Sequence, residues 1–292
     1  MSGPDATVST AAGAGSAVAV TAVGFIGLGS QGGGIARRIV ASGYRTTLWA
    51  RRPEALAEFA DTGAATAGSA AELAAASDLV GVCVRTDADV DEVICSPDGV
   101  LAGMAPGGVI VVHSTVHPDT CRRIAEMSAQ KGVSLVDAPV SGGGGAALEG
   151  RLLVLAGGEV DVVERCRPVF ESFGNPVLHL GPIGSGQIAK ICNNLLLTAN
   201  LAVAESALAL GRDLGVDPAR LAEAIAGGSG ASYALGPLRH AGLSLAAMGG
   251  LAGPLLQKDV RLLVELAAAV GNTGAAALDA ADLALQAMGC AR

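Results

Sequence analysis

Aromatic side chains are almost missing from this chain. Phe, Trp and Tyr together make up 2% of its 292 residues, and charged residues only 16%. Any core must therefore be closely packed Ala, Val, Leu and Ile, which the 51% hydrophobic content supplies. Cysteine spacing excludes more. The six cysteines, at 83, 95, 121, 166, 192 and 290, include no C-x-x-C, so they read as reduced thiols of a cytoplasmic protein. His113 and His117 are four apart, but Pro118 and the apolar run before them keep them off a shared helix face, and no metal site is expected. Basic residues are outnumbered, 19 against 27 acidic, for a formal charge of -8. That excludes an extended nucleic-acid surface, while local basic residues can still hold a small anion.

Long strongly apolar runs are absent as well. Mean hydropathy is +0.50 and residues 6–36 carry no charge. Yet Ala, Gly, Ser and Thr dominate that stretch, where a membrane span needs about 20 strongly apolar residues. No basic start precedes it, so no secretory signal and no membrane partner are expected. Residues 1–17 read as a disordered Ala/Gly/Ser tail.

Glycine, by contrast, is abundant, with 42 residues. The chain is organised around Val23-Gly24-Phe25-Ile26-Gly27-Leu28-Gly29-Ser30-Gln31-Gly32. An apolar strand is predicted over 18–26 and a helix from 33 onward. Gly27, Gly29 and Gly32 fit G-x-G-x-x-G: one for a sharp turn, one for close approach of a pyrophosphate, one for tight helix–strand packing. The turn Gly27, Leu28, Gly29, Ser30, Gln31, Gly32 is thus a candidate dinucleotide cradle at a helix N-terminus. The plain alternative is a flexible glycine-rich loop.

Alternating strands and helices follow. Strands are predicted over 46–49, 64–66, 79–84, 109–113, 134–137, 152–156 and 176–180, and helices over 53–60, from a Ser69 cap through Glu72, and over 118–131 and 160–173. This cadence predicts an α/β fold whose N-terminal part is a Rossmann-type doubly wound sheet, over 18–182. At the end of the second strand, positions 46–53 hold no acid to bind a ribose 2′-hydroxyl but two guanidiniums, Arg51 and Arg52. These suit a 2′-phosphate, so NADP is favoured over NAD. The alternative is a solvated basic pair.

From 183 onward no strand pattern is found. Helices are predicted over 185–214, 217–226, 256–270 and 275–288, an all-α C-terminal domain spanning 183–292. Lys190 is the only Asp, Glu, Lys or Arg between 172 and 204. It stands in a helix apolar nearly all round, where an ammonium is costly unless it is paired or reaches water or a ligand. Asn194 lies four residues on, on the same face. A snorkelling lysine is the competing reading.

Five blocks in order resemble the β-hydroxyacid dehydrogenase family: the glycine turn, Ser114-Thr115, Asp137-Ala138-Pro139-Val140-Ser141-Gly142-Gly143, Gly184-Ser185-Gly186 with Lys190, Asn193 and Asn194, and Lys258-Asp259. The resemblance implies hydride transfer between a nicotinamide and a short hydroxy acid or its semialdehyde. It implies Lys190 as acid/base, Ser141, Gly142 and Gly143 as the carboxylate cradle, Asn194 as orienter, Thr115 beside the nicotinamide, and Lys258 covering the cofactor. Val84 and Arg85 stand where many members carry a Leu-Pro or Pro-Asn step, in a loop that touches cofactor or substrate, and Gln31 replaces a customary methionine. The family relation also admits an imine reductase or a catalytically inactive NADP-binding module. The apolar stretch over 195–210 suits a homodimer interface.

Overall fold

A computed structural model describes residues 19–250 and 252–292. The expected tail over 1–17 lies outside them.

Strands β1 (Ala22–Ile26), β2 (Arg45–Trp49), β3 (Ala65–Thr66), β4 (Leu79–Val82), β5 (Val109–Val112) and β6 (Ser134–Asp137) form one parallel sheet, ordered β3-β2-β1-β4-β5-β6. This is the doubly wound order with its switch point between β1 and β4. The runs AVGFI and VIVV are buried throughout, as a strand covered on both faces requires. Alternate residues of β5 enter opposite cores. Val109 and Val111 join Phe25, Ile35 and Leu48, whereas Ile110 and Val112 join Ile26, Leu73 and Val82.

Helices α1 (Ser30–Ala41), α2 (Glu54–Ala57), α3 (Ala70–Ala75), α4 (Asp87–Cys95), α5 (Val100–Gly103) and α6 (Pro118–Ala129) make the crossovers. Several boundaries differ from expectation. β1 begins at Ala22 rather than 18, and α1 begins at Ser30, three residues early. The helix expected over 53–60 is the single turn α2, which buries no residue. β4 stops at Val82 because the next free donor, Val84 N–H, is taken by the Ser114 hydroxyl at 2.8 Å instead of a neighbouring strand.

The doubly wound sheet ends at β6, and the remaining strands do not extend it. β7 (Val140–Ser141), β8 (Leu152–Ala156) and β9 (Gly174–His179) form a separate sheet, β7 antiparallel and β9 parallel to β8. Pro139 has no N–H to continue a ladder, and Asp137 bridges back to Gly157. Helices α7 (Gly143–Glu149) and α8 (Val160–Glu171) lie within this unit.

The C-terminal part is helical: α9 (Ser185–Asp213), α10 (Pro218–Ala226), α11 (Leu235–His240), α12 (Leu245–Met248), α13 (Gly253–Ala269) and α14 (Ala275–Ala287). Its core gathers Ile191, Leu201 and Leu208 of α9 with Val260 and Leu285. At 29 residues α9 is long and apolar enough to cross a membrane. Its buried residues, however, include Gln187, Lys190 and Asn194, and a carboxylate of the sheet holds its first turn, so it reads as a core helix.

Candidate active site

The glycine turn joins β1 to α1. Gly27 has φ +97, and a Cβ there would run into the Cys83 carbonyl; one on Gly32 would run into the Gly27 carbonyl. Around Gly29, by contrast, nothing lies within 4 Å. Turn, open approach and close packing thus fall on Gly27, Gly29 and Gly32 in that order, which is what a pyrophosphate at a helix N-terminus needs. The chain fits a dinucleotide here on that ground. A cavity of about 490 Å³ opens beside the turn, lined among others by Gly27, Leu28, Gly29, Arg52, Val84 and Arg85. Ser30 lines a second cavity together with Leu28, Gly29 and Arg52, and its hydroxyl also lies against Gly144, where a Cβ would strike it. Gly32 packs under the turn, and Gln31 is the second residue of α1 beside it.

The two arginines differ. Arg51 is paired with Asp89 at 3.2 Å and Glu92 at 3.5 Å, both on α4. Arg52 has no ion-pair partner among the described residues and is exposed. The sequence pattern did not flag Asp89 or Glu92, because they reach the second strand from 38 and 41 residues away.

At the carboxyl ends of β5 and β6 the two parts of the chain meet. The Asp137 carboxylate, fully buried at the end of β6, accepts from the N–H groups of Gly184 at 2.6 Å and Gln187 at 2.7 Å. It therefore caps the first turn of α9. Burial pushes this carboxyl up to about 6, against the downward pull of those amides. Gly186 allows the close approach, since a Cβ there would meet the Leu155 carbonyl.

One turn along, Lys190 is 8% exposed. Burial pushes its amine down to about 8; the Asp259 carboxylate opposes this and the Lys258 ammonium adds to it. Asp259 is itself buried. Its Oδ2 accepts from Asn194 Nδ2 at 2.5 Å, and its Oδ1 contacts Lys258 Nζ at 2.9 Å without a hydrogen bond. Lys258 is not a free surface lysine: its Nζ also donates to the Thr115 carbonyl at 2.5 Å, so α13 grips the loop after β5. Lys190, Asn194, Lys258 and Thr115 are thus brought together, with Asp259 at the centre.

The candidate carboxylate cradle, Ser141 to Gly143, is joined to this cluster through Asn193, whose Nδ2 also donates to Asn194 Oδ1 at 3.1 Å. Gly142 and Gly143 have φ +135 and +79, conformations that a Cβ disfavours. Asn193 Nδ2 reaches the Ser141 hydroxyl at 3.5 Å, and the Tyr233 hydroxyl reaches the Gly142 carbonyl at 3.4 Å. Gly143 opens α7, which packs on α1, so the cradle and the cofactor turn share one support. No local sequence pattern marks Tyr233, which meets Gly142 across 91 residues, and Asp259 stands out in sequence only as the neighbour of Lys258.

Two family models cover nearly all of this chain. The NAD binding domain of 6-phosphogluconate dehydrogenase matches residues 22–181, and the NAD-binding domain of NADP-dependent 3-hydroxyisobutyrate dehydrogenase matches residues 184–290. The chain belongs to the β-hydroxyacid dehydrogenases. Among this family, 3-hydroxyisobutyrate dehydrogenase of Pseudomonas aeruginosa is 37% identical over 258 residues, 86% of this chain and 87% of that protein. The NAD-dependent L-serine dehydrogenase of the same organism is 33% identical over 86% and 87% of the two chains. A solved structure of Mycobacterium tuberculosis 3-hydroxyisobutyrate dehydrogenase with L-serine has a TM-score of 0.79 at 29% identity, covering 91% of this chain and 93% of that one. This β-hydroxyacid dehydrogenase is accordingly an NAD(P)-dependent oxidoreductase of hydroxy acids.

Proposed function

We propose that the substrate is a short β-hydroxy acid, 3-hydroxyisobutyrate-like, or its semialdehyde, that NADP is preferred to NAD, and that the enzyme is a cytoplasmic homodimer. The nicotinamide, when bound, supplies or accepts the hydride. The chain's own residues do the rest. The Ser141 hydroxyl and the open backbone of Gly142 and Gly143 hold the substrate carboxylate. Asn194, anchored by Asp259, orients the hydroxyl or carbonyl oxygen. Lys190 Nζ, protonated, stabilises charge developing on that oxygen and delivers a proton to it in reduction; neutral, it takes the proton in oxidation. The turn from Gly27 to Gly32 and the β4 end at Val84 and Arg85 hold the cofactor, with Thr115 and Lys258 closing its far end. The preference for NADP rests on Arg51 and Arg52. The ion pairs of Arg51 are partly exposed and therefore exchangeable for a phosphate dianion.

The observation that carries this reading is one buried ammonium beside one buried carboxylate, on a helix anchored to the strand ends. Replacing Lys190→Ala should lower kcat by about a hundredfold to ten-thousandfold, the span usual for a lost acid/base, with NADPH affinity by fluorescence titration within about twofold. Near-normal turnover would remove Lys190 from the chemistry.

A further inference from the structure

Gln187 is fully buried in the first turn of α9. A buried amide side chain is costly unless both its ends are bonded, and here both are. Oε1 accepts from the Val116 N–H at 3.0 Å, and Nε2 donates to the Ser114 carbonyl at 2.9 Å. These two groups belong to the chain just beyond β5, past the end of its ladder. The segment between them is fixed from two further sides, by Lys258 on the Thr115 carbonyl and by the Ser114 hydroxyl accepting from Val84 N–H. The Gln187 backbone is in turn held by Asp137 at the end of β6. One side chain therefore brackets the end of β5 to the helix whose next turn carries Lys190.

We infer that Gln187 is a positioning residue, which sets the Lys190 amine against the strand ends where the nicotinamide is proposed to lie and couples cofactor binding to the first turn of α9. The inference rests on the function proposed above. Lys190 follows three residues later, about 4.5 Å along the axis on the same buried face. A shift of the first turn is therefore passed directly to Nζ. The main binding contacts survive loss of the bracket, because neither the glycine turn nor the carboxylate cradle is bonded to this amide and Lys258 still holds the Thr115 carbonyl. Alignment for hydride and proton transfer does suffer, and it is the more sensitive to displacement.

Two measurements test this. Gln187→Met keeps the volume and removes both bonds. Its kcat should fall about tenfold to a hundredfold, with KM for NADPH and for the hydroxy acid or aldehyde within about twofold. The primary deuterium isotope effect on kcat should rise above that of the wild type. A kcat within twofold of wild type, or a loss that is fully recovered on cooling in step with thermal stability, overturns the inference. The second measurement uses the wild-type protein and covers a variant that fails to fold. Hydrogen exchange with and without NADPH should show slowing at 114–117 and at 185–191 together; slowing at 114–117 alone overturns the coupling. A wild-type chain that turns over no hydroxy acid would defeat the functional reading instead, and exchange alone would then decide the coupling.

Discussion

A lysine buried beside an aspartate has two opposed influences on its proton. Desolvation disfavours the ammonium, and the carboxylate favours it. In Lys190 desolvation wins, leaving the amine at about 8. The sign for activity follows. Reduction needs the ammonium, so its kcat should hold below about pH 8 and fall as pH rises through it; oxidation needs the free amine and should rise over the same interval. Crossing limbs in the two directions, measured with saturating cofactor, would support the assignment, and parallel limbs would sink it. Lys190 was legible in the sequence because it is the lone charge in a long apolar stretch. Asp259, which tunes it, was not, because its contact with Asn194 spans 65 residues and no local pattern encodes that meeting.

At the scale of elements, the β1–α1 turn separates glycines that serve the fold from the one that serves the ligand. Gly32 and Gly27 face backbone carbonyls, so Gly32→Ala should destabilise the protein markedly. Gly29 has extended φ of -73 and open space around it, so Gly29→Ala should keep the wild-type melting temperature while losing most NADPH affinity. A Gly29→Ala protein that binds NADPH normally would show that the pyrophosphate does not pass there. The periodic strands and the long helix could be read from sequence because burial on both faces, or all round, leaves continuous apolar runs. α7 could not, since three of its seven residues are glycine and glycine is the poorest helix former after proline. Packing against α1 overrides that propensity. α4 carried a legible signal that went unused, the capping box of Thr86 and Asp89.

For the whole molecule, two consequences reach beyond the site. His113 is enclosed by Phe25, Phe170 and Phe173, its Nδ1 bonded to the Ala138 carbonyl, and burial pushes it down to about 4. The unfolded chain takes up this proton below about 6.5 and the folded one does not until about 4, so the His113 contribution to stability should fall as pH falls across that window, by roughly 3 kcal/mol at most, while the Asp137 carboxyl, raised to about 6, works in the opposite sense because the folded state takes up its proton first. Replacing His113 by Phe should remove the first contribution, so that stability relative to wild type rises steadily as pH falls from 6.5 to 4; a difference between the two proteins that does not change with pH would assign acid sensitivity elsewhere. The other consequence concerns assembly. Leu196, Val203 and Leu210 of α9 are all more than half exposed. Spaced seven apart, they advance about 20° per step and form one stripe roughly 20 Å long. A second copy of the chain is the proposed cover, because the stripe is self-complementary across a two-fold axis. Leu196→Arg with Val203→Arg places two charges in that seam and leaves Lys190, on the opposite face, untouched. Light scattering at micromolar concentration should then show a dimer converted to a monomer that still binds NADPH. A wild-type chain already monomeric under those conditions would mean that α9 serves only to join the two parts of one molecule.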